Sequence, residues 1–379
     1  MARFSPRSQR RAIRRRCRRK RLRSVFGVVE LQLCYGQDPG DGHWGHPLLE
    51  SWGVGAHQQL TPAAREKLCF TATATGTFEE AAAVAAKWGL AVEDSTIHQL
   101  VQQAGARAER QLAGRLAQAP PPAEPGRAPS ALANLMVDGC QIRFRGAGWG
   151  AGEGAEGRVE WHELKLGVFY LEEQRATSAG GRGCLSDKRV VAWQGEADEL
   201  GRRLHWEARR WGLAGARRVR CVNDGAPWIW KLVKDRWSGA EEVLDFYHAS
   251  EHLGEIARAM WGDTPAAGHW AEQRRHELRH GQEVQVLDKI RQLKAPRGPR
   301  GKIVRRERRY FAGHAHRMRY QSLAESGPIG SGAVESACRQ RQCRFKRPGQ
   351  FWTPTGLRHL GALDEARRNE HWEQLWLPF

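Results

Sequence analysis

Residues 118–130, QAPPPAEPGRAPS, contain five prolines, and no helix or strand can run through them. Each proline fixes φ and removes a backbone donor, so the segment reads as an extended linker. The chain of 379 residues is therefore expected to fold as separate parts on either side of it. Downstream, Leu132–Phe144 is an apolar strand with Asp138 in its middle, and a glycine-rich turn at 146–157 leads to a second strand, Glu160–Tyr170. Arg189–Gln194 supplies a third strand, and Glu196–Gly212 is an amphipathic helix. A fourth strand, Arg218–Asn223, ends on Asp224; the helix Trp228–Trp237, the short strand Glu242–Phe246 and a helix from about residue 249 follow. Three hairpin-linked strands and then alternating helix and strand predict an α/β fold, a mixed sheet with helices on its faces.

Residues 255–324 are helical in pattern, charged and rich in Arg, His and Trp, as expected of an all-helical insertion. The segment GPIGSGAVES (327–336) is a glycine- and proline-built turn that delivers Glu335 into a helix. Segments 131–254 and 325–350 thus form one domain interrupted by the insertion, and 351–379 is a C-terminal helical segment.

Upstream of the linker the charge is concentrated. The chain carries 61 Lys+Arg against 42 Asp+Glu, a net charge of +19. Residues 1–24 hold twelve of those cations and no acid. Such a block repels itself and is expected to stay disordered until phosphates neutralise it, with Arg14, Arg15, Arg16, Arg18, Arg19, Lys20 and Arg21 as nucleic-acid contacts. Residues 25–117 begin with a strand, Val25–Tyr35, and turn helical from Thr61. Phe78–Trp88 and Asp94–Gly105 are joined through Gly89, a spacing that suits a helix-turn-helix over 78–105 as well as any packed helical hairpin. As a recognition helix the second would present His98, Gln99 and Gln102 to a DNA major groove. A mean hydropathy of −0.65 and the lack of a long apolar run leave no membrane span to expect. Eight cysteines without a C-x-x-C pair argue against a disulfide scaffold or zinc ribbon and for a reducing cytosol.

Asp138 and Asp224 both precede glycine, and D-G is an ordinary turn dipeptide. An ionised carboxylate inside an apolar strand is nevertheless costly unless it is paired or metal-bound, and strand C-termini are where open α/β sheets place their sites. Glu335 has an ordinary alternative role, as an acid favoured by a helix N-terminus. Taken together, the three carboxylates would cage two Mg²⁺ or Mn²⁺ ions, one activating the attacking oxygen and one stabilising the leaving oxygen in phosphoryl transfer. Arg341, Arg344 and Lys346 follow Glu335 on the same helical run and can hold DNA phosphates. Of the sixteen Trp, most are expected in the core; Trp352, in a basic loop, is the best candidate for stacking on a base.

The strand and helix order is the one used by RNase H-like folds. The segments VDG around Asp138, NDGAPWIW (223–230), DFYHASEHL (245–253), PIGSGAVES (328–336) and RFKRPGQFW (344–352) resemble those of the Kra-type bacterial insertion-sequence transposases, which are DDE enzymes with an RNase H-like domain. The resemblance spans roughly residues 25–376. It implies that Asp138, Asp224 and Glu335 are the catalytic, metal-holding triad. It also implies an insertion between the second Asp and the Glu, and a supporting (C/D)-x-x-H motif at Asp245 and His248. Double-stranded DNA, as element ends and target, would be the partner of a homodimer or larger assembly at the bacterial nucleoid. Asn223 departs from the pattern, where a glycine is expected. An inactive, DNA-binding derivative is one alternative. The other is a zinc peptidase, since HASEH (248–252) matches H-x-x-E-H, which can place two zinc-binding histidines on one helical face.

Overall fold

The computed structural model describes residues 13–37, 42, 44–52, 54–55, 57–119, 131–150, 158–178 and 183–376. The basic residues before Ile13, the proline-rich stretch 120–130 and most of the glycine-rich turn therefore lie outside the described residues. The chain divides into two compact units, residues 1–110 with 355–379, and residues 111–354. The division falls inside a long helix a few residues before the linker, and the C-terminal segment belongs with the N-terminal part.

The first unit opens with β1 (Ile13–Ser24) and β2 (Gly27–Gln37), an antiparallel hairpin paired from Ile13↔Gln37 to Ser24↔Gly27 with a one-residue register shift between Arg14 and Arg16, and with β3 (Trp44–Gly45) against the far end of β2. The described part of the arm expected to be disordered is thus a strand. The backbone groups that face β2 are paired with it, and Leu22 is buried with Leu33, Leu49 and Val54, while Arg19, Arg21 and Arg23 alternate outward. The side chains of Arg14, Arg15, Arg16 and Arg18 lie outside the described residues. Helices α1 (Pro47–Ser51), α2 (Pro62–Ala74), α3 (Phe78–Lys87) and α4 (Asp94–Leu116) follow. Thr77 caps α3 by accepting from the Glu80 amide at 3.0 Å, and the Glu80 carboxylate accepts from the Gly76 amide at 2.8 Å. Gly89, at φ 84°, turns the chain out of α3.

The second unit carries β4 (Ala133–Arg145), β5 (Val159–Leu171), the small ribbon β6 (Arg175–Thr177) and β7 (Gly183–Leu185), then β8 (Arg189–Gln194) and α5 (Ala197–Trp211). Next come β9 (Val219–Asn223), α6 (Pro227–Arg236), β10 (Glu241–Leu244) and α7 (Phe246–Trp261). The main sheet has the order β10-β9-β4-β5-β8, with β5 antiparallel to both neighbours and β4, β9 and β10 mutually parallel. One face packs Leu135, Val137 and Phe169 against Leu200, Leu204 and Trp211 of α5 and Ile229 and Val233 of α6. Helices α8 (Pro265–Arg279), α9 (Glu283–Gln292), α10 (Pro299–Gly313) and α11 (Tyr320–Ala324) make the segment after α7 all-helical, and α12 (Gly332–Phe345) returns to the sheet. No helix among the described residues is long and apolar enough to cross a membrane.

The chain then rejoins the first unit through α13 (Pro354–Arg368) and α14 (Trp372–Trp376). Helices α4 and α13 touch at Gly105, where an added Cβ would lie 2.5 Å from the His359 carbonyl oxygen. His359 also shares a hydrogen bond with the Gln102 side chain at 2.7 Å. In an open helix Gly→Ala gains about 1 kcal/mol; here the collision is with backbone, and overpacking costs about 1–3 kcal/mol. Gly105→Ala is therefore expected to lower the urea midpoint of the first unit. A raised midpoint would show that the helices can part at no cost.

Candidate active site

Parallel register brings the first carboxylates together. Leu135 pairs with Cys221 and Asn223 with Leu244, so continuing each register places Asp138, in the middle of β4, side by side with Asp224 and Asp245, which directly follow β9 and β10. Adjacent strands are about 4.8 Å apart. Asn223, fully buried, locks this alignment, because its Oδ1 accepts from the Val137 amide at 2.6 Å. That cross-strand bond gives Asn at this position a role that glycine could not fill.

Asp245 is fully buried and caps α7. Its Oδ1 accepts from the amides of Tyr247 and His248 at 2.6 and 3.0 Å, and its Oδ2 accepts from the Ser331 amide and hydroxyl, both at 2.5 Å. One side chain thus ties the start of α7 to the turn before α12. The Phe246 amide donates to the Ile329 carbonyl at 2.9 Å and closes the same junction. Glu335, in the first turn of α12, lies 3.0 Å from the Ser331 hydroxyl. As a result Asp245, His248 and Glu335 have ligand atoms within 4.8 Å of one another, a group able to hold a metal ion. With four hydrogen bonds Asp245 is a positioning group, which leaves His248 and Glu335 as the donors on this side.

Asp138 points to the face of the sheet covered by α12, where the Cys338 thiol donates to its Oδ2 at 3.5 Å and its Oδ1 accepts from the Gly139 amide at 2.6 Å. Burial raises its pKa above the ordinary carboxylate value, and the charge of Asp224 adds to the rise. For an acid with a raised folded-state pKa, the stabilising contribution is complete below the ordinary carboxylate range and is lost as pH climbs through the raised value. Above that value Asp138 therefore opposes folding. Asp138→Asn is expected to raise the melting temperature at neutral pH, a gain that disappears in acid. Mg²⁺ should stabilise the wild type and not the variant. A variant that melts lower at neutral pH would contradict this account.

The helical segment contributes one group that the sequence did not single out. Tyr310 of α10 packs over Gly225, the residue after Asp224, so closely that a Cβ there would lie 2.2 Å from its ring. His252 stacks on the other side of Tyr310, with centroids 3.8 Å apart, and its Nδ1 lies 2.6 Å from buried Glu307. The neighbouring His314 is held neutral, its pKa lowered to about 4 by burial and then by Arg317 and His316.

The histidines of HASEH are thus drawn into different groups, His248 with Asp245 and Glu335, and His252 with Glu255 and Glu307. Arg306 pairs with both Glu255 and Glu307 and supplies the positive charge there. No group among the described residues brings the two histidines together as zinc ligands.

Three expected DNA contacts are placed otherwise. Trp352 is buried: its Nε1 donates to the Phe345 carbonyl at 2.7 Å, and its backbone bridges to Phe144, so it offers no stacking face. Arg341 and Arg344 are also buried, because positions 334, 337, 338, 341 and 345 form the face of α12 laid on β4 and β5. Lys346 is half-buried, 5.0 Å from the exposed ring of Trp161. In the first unit His98 and Gln99 are exposed on α4, whereas Gln102 is engaged with His359. Gln99 lines a cleft with Arg23, His57, Arg65 and Gln103.

The second unit is thus a mixed α/β domain with acidic groups at the ends of its parallel strands. No family model and no curated protein matches the chain. Among solved structures it is similar to the Drosophila P element transposase strand transfer complex, at 11% identity and a TM-score of 0.37, over 81% of this chain and 92% of that one. A likeness at that level carries no argument, and function rests on the residues themselves.

Proposed function

We propose that this protein is a DNA transposase of a bacterial insertion sequence, with an RNase H-like catalytic domain that acts in the cytoplasm on the nucleoid. The observation that carries the reading is the arrangement of Asp138 and Asp224 on adjacent parallel strands, with Glu335 presented beside His248 from α12. The strand order, with the second strand antiparallel and the fourth and fifth parallel to the first, supports the RNase H-like assignment. Oxygen-rich donors suit Mg²⁺ or Mn²⁺, held by Asp138, Asp224 and Glu335 as two ions. Such ions, when bound, supply Lewis-acid stabilisation of the attacking and leaving oxygens of a phosphodiester. The chain's own residues set the geometry: Asn223 fixes the strand register, Asp245 and Ser331 hold α12 in place, and Tyr310 covers the Asp224 turn.

The first unit binds duplex DNA through its basic hairpin and the N-terminal half of α4, in keeping with the net charge of +19. Two element ends must be handled together, so the active form is a dimer or larger assembly. The test is Mg²⁺-dependent cleavage and joining on DNA that carries the repeats flanking the gene. Cutting at the repeat boundary, followed by joining of the freed 3′ end, supports the reading. Salt-dependent binding without cutting under any divalent ion would favour a repurposed DNA-binding derivative.

A further inference from the structure

The turn between β1 and β2 is chemically unusual. Two-residue hairpin turns favour Asn, Asp and Gly, yet this one holds Val25 and Phe26. Ser24 supports it: its hydroxyl accepts from the Phe26 amide at 3.1 Å and donates to the Gly27 carbonyl at 2.8 Å, and Gly27 takes φ 102°. The result lifts Phe26 to 94% exposure, with Val28 beside it at 67%. Phe26, Val28 and Val29 are all exposed, an apolar tip of the kind that marks a contact surface.

The surroundings specify that partner's charge. On the outward face of the hairpin Arg19, Arg21 and Arg23 stand opposite Gln32, Glu30 and Val28, all exposed. Glu30 is the one acid there, and it lies 3.4 and 3.3 Å from Arg19 and Arg21. A cleft along the hairpin is lined by Arg19, Lys20, Arg21, Arg23, His46 and His57. Arg23 and His57 also line the cleft that continues to Gln99 on α4. A cationic ribbon that ends in an aromatic side chain matches a polyanion with stacked apolar layers, which is duplex DNA.

We propose that the β1–β2 hairpin is a DNA-bending ribbon whose tip residue, Phe26, wedges between base pairs from the minor groove while the outward arginines hold the flanking phosphates. This rests on the DNA-binding part of the reading above and is independent of the carboxylates. Unstacking one step costs a few kcal/mol, repaid by the longer phosphate contact that a bent duplex permits.

The test uses the full chain and a duplex of the flanking repeat, labelled at both ends for energy transfer and carrying 2-aminopurine at successive steps. The wild type should shorten the end-to-end distance, consistent with a kink of about 20–90°, and brighten 2-aminopurine at one step. Phe26→Ser should lose both signals while the slope of log affinity against log salt stays unchanged. Phe26→Leu, still an apolar wedge, should retain them. Arg19→Ala with Arg21→Ala should instead flatten that slope by roughly 1.8, about 0.9 per phosphate contact. Phe26→Ser that bends DNA like the wild type overturns the proposal. Loss of self-association in Phe26→Ser, with bending intact, overturns it too and makes the tip a protein contact. If no protein cuts DNA but the wild type still bends it, the transposase reading fails and the ribbon stands.

Discussion

Glu335→Gln is expected to abolish metal-dependent DNA cleavage while leaving DNA binding unchanged. Glutamine keeps the size of the side chain and can still meet the Ser331 hydroxyl, 3.0 Å away in the native protein, so the start of α12 should hold. What it loses is the charge that holds a divalent ion. Metal stabilisation of the charge developing in phosphoryl transfer is worth several kcal/mol, on the order of 10³-fold in rate. The proposed DNA contacts are the basic hairpin and α4 of the other unit, so the apparent Kd and its salt slope should match those of the wild type. Initial cleavage rates across a Mg²⁺ titration, beside a filter-binding isotherm, make the comparison. Unaltered cutting would remove Glu335 from the metal site and leave His248 as the donor from that side.

The second large effect concerns a residue far from any expected chemistry. Arg220, on β9, is fully buried. Its Nε donates to Glu241 at 2.7 Å, one terminal nitrogen to the Leu323 and Pro328 carbonyls at 2.8 and 3.3 Å, and the other to the Ser326 hydroxyl at 2.7 Å. It thereby fastens the exit of the helical segment to the sheet, a few residues before Ser331 and Glu335. Arg220→Met would fill the space and leave Glu241 and two carbonyls without their donor. Breaking a fully buried pair costs about 3–5 kcal/mol; with Glu241 partly exposed the loss here is expected at about 2–4 kcal/mol. Urea unfolding of the second unit should show that loss. Where the variant still folds, cleavage should fall with it while hairpin-dependent DNA binding persists. A loss under about 1 kcal/mol would mean that water reaches the site and replaces the guanidinium.

The sheet was legible in the sequence because its strands are buried on both sides and read as apolar runs. Arg189–Gln194 coincides with β8, and Ala133–Arg145 lies one residue from the expected strand. Asp138 stood out because a charge inside an apolar strand is costly, and Asp224 because it follows a strand's C-terminal end. The basic hairpin was not legible: among the described side chains of β1, Leu22 is the one apolar inward residue, and its pairing depends on Leu31 and Leu33 across the turn. Arg341, Arg344 and Trp352 misled for the same reason in reverse. Charge suggested a surface, while the spacing of α12 turns Arg341 and Arg344 to the sheet side of the unit and a bridge to Phe144 holds Trp352 there. Tyr310 and Arg220 carry no local signal, since each acts across about 85–105 residues of chain through contacts that only the tertiary fold creates.

The return of α13 to the first unit has a consequence for synthesis. Gly105 meets His359 only after some 250 further residues have been made, which at about 5–20 residues per second is a delay of roughly 12–50 s. The second unit, contiguous in sequence, does not wait for α13, whereas the first unit is closed only when α13 packs on α4. Until then the half-built first unit lacks the helix that covers α4.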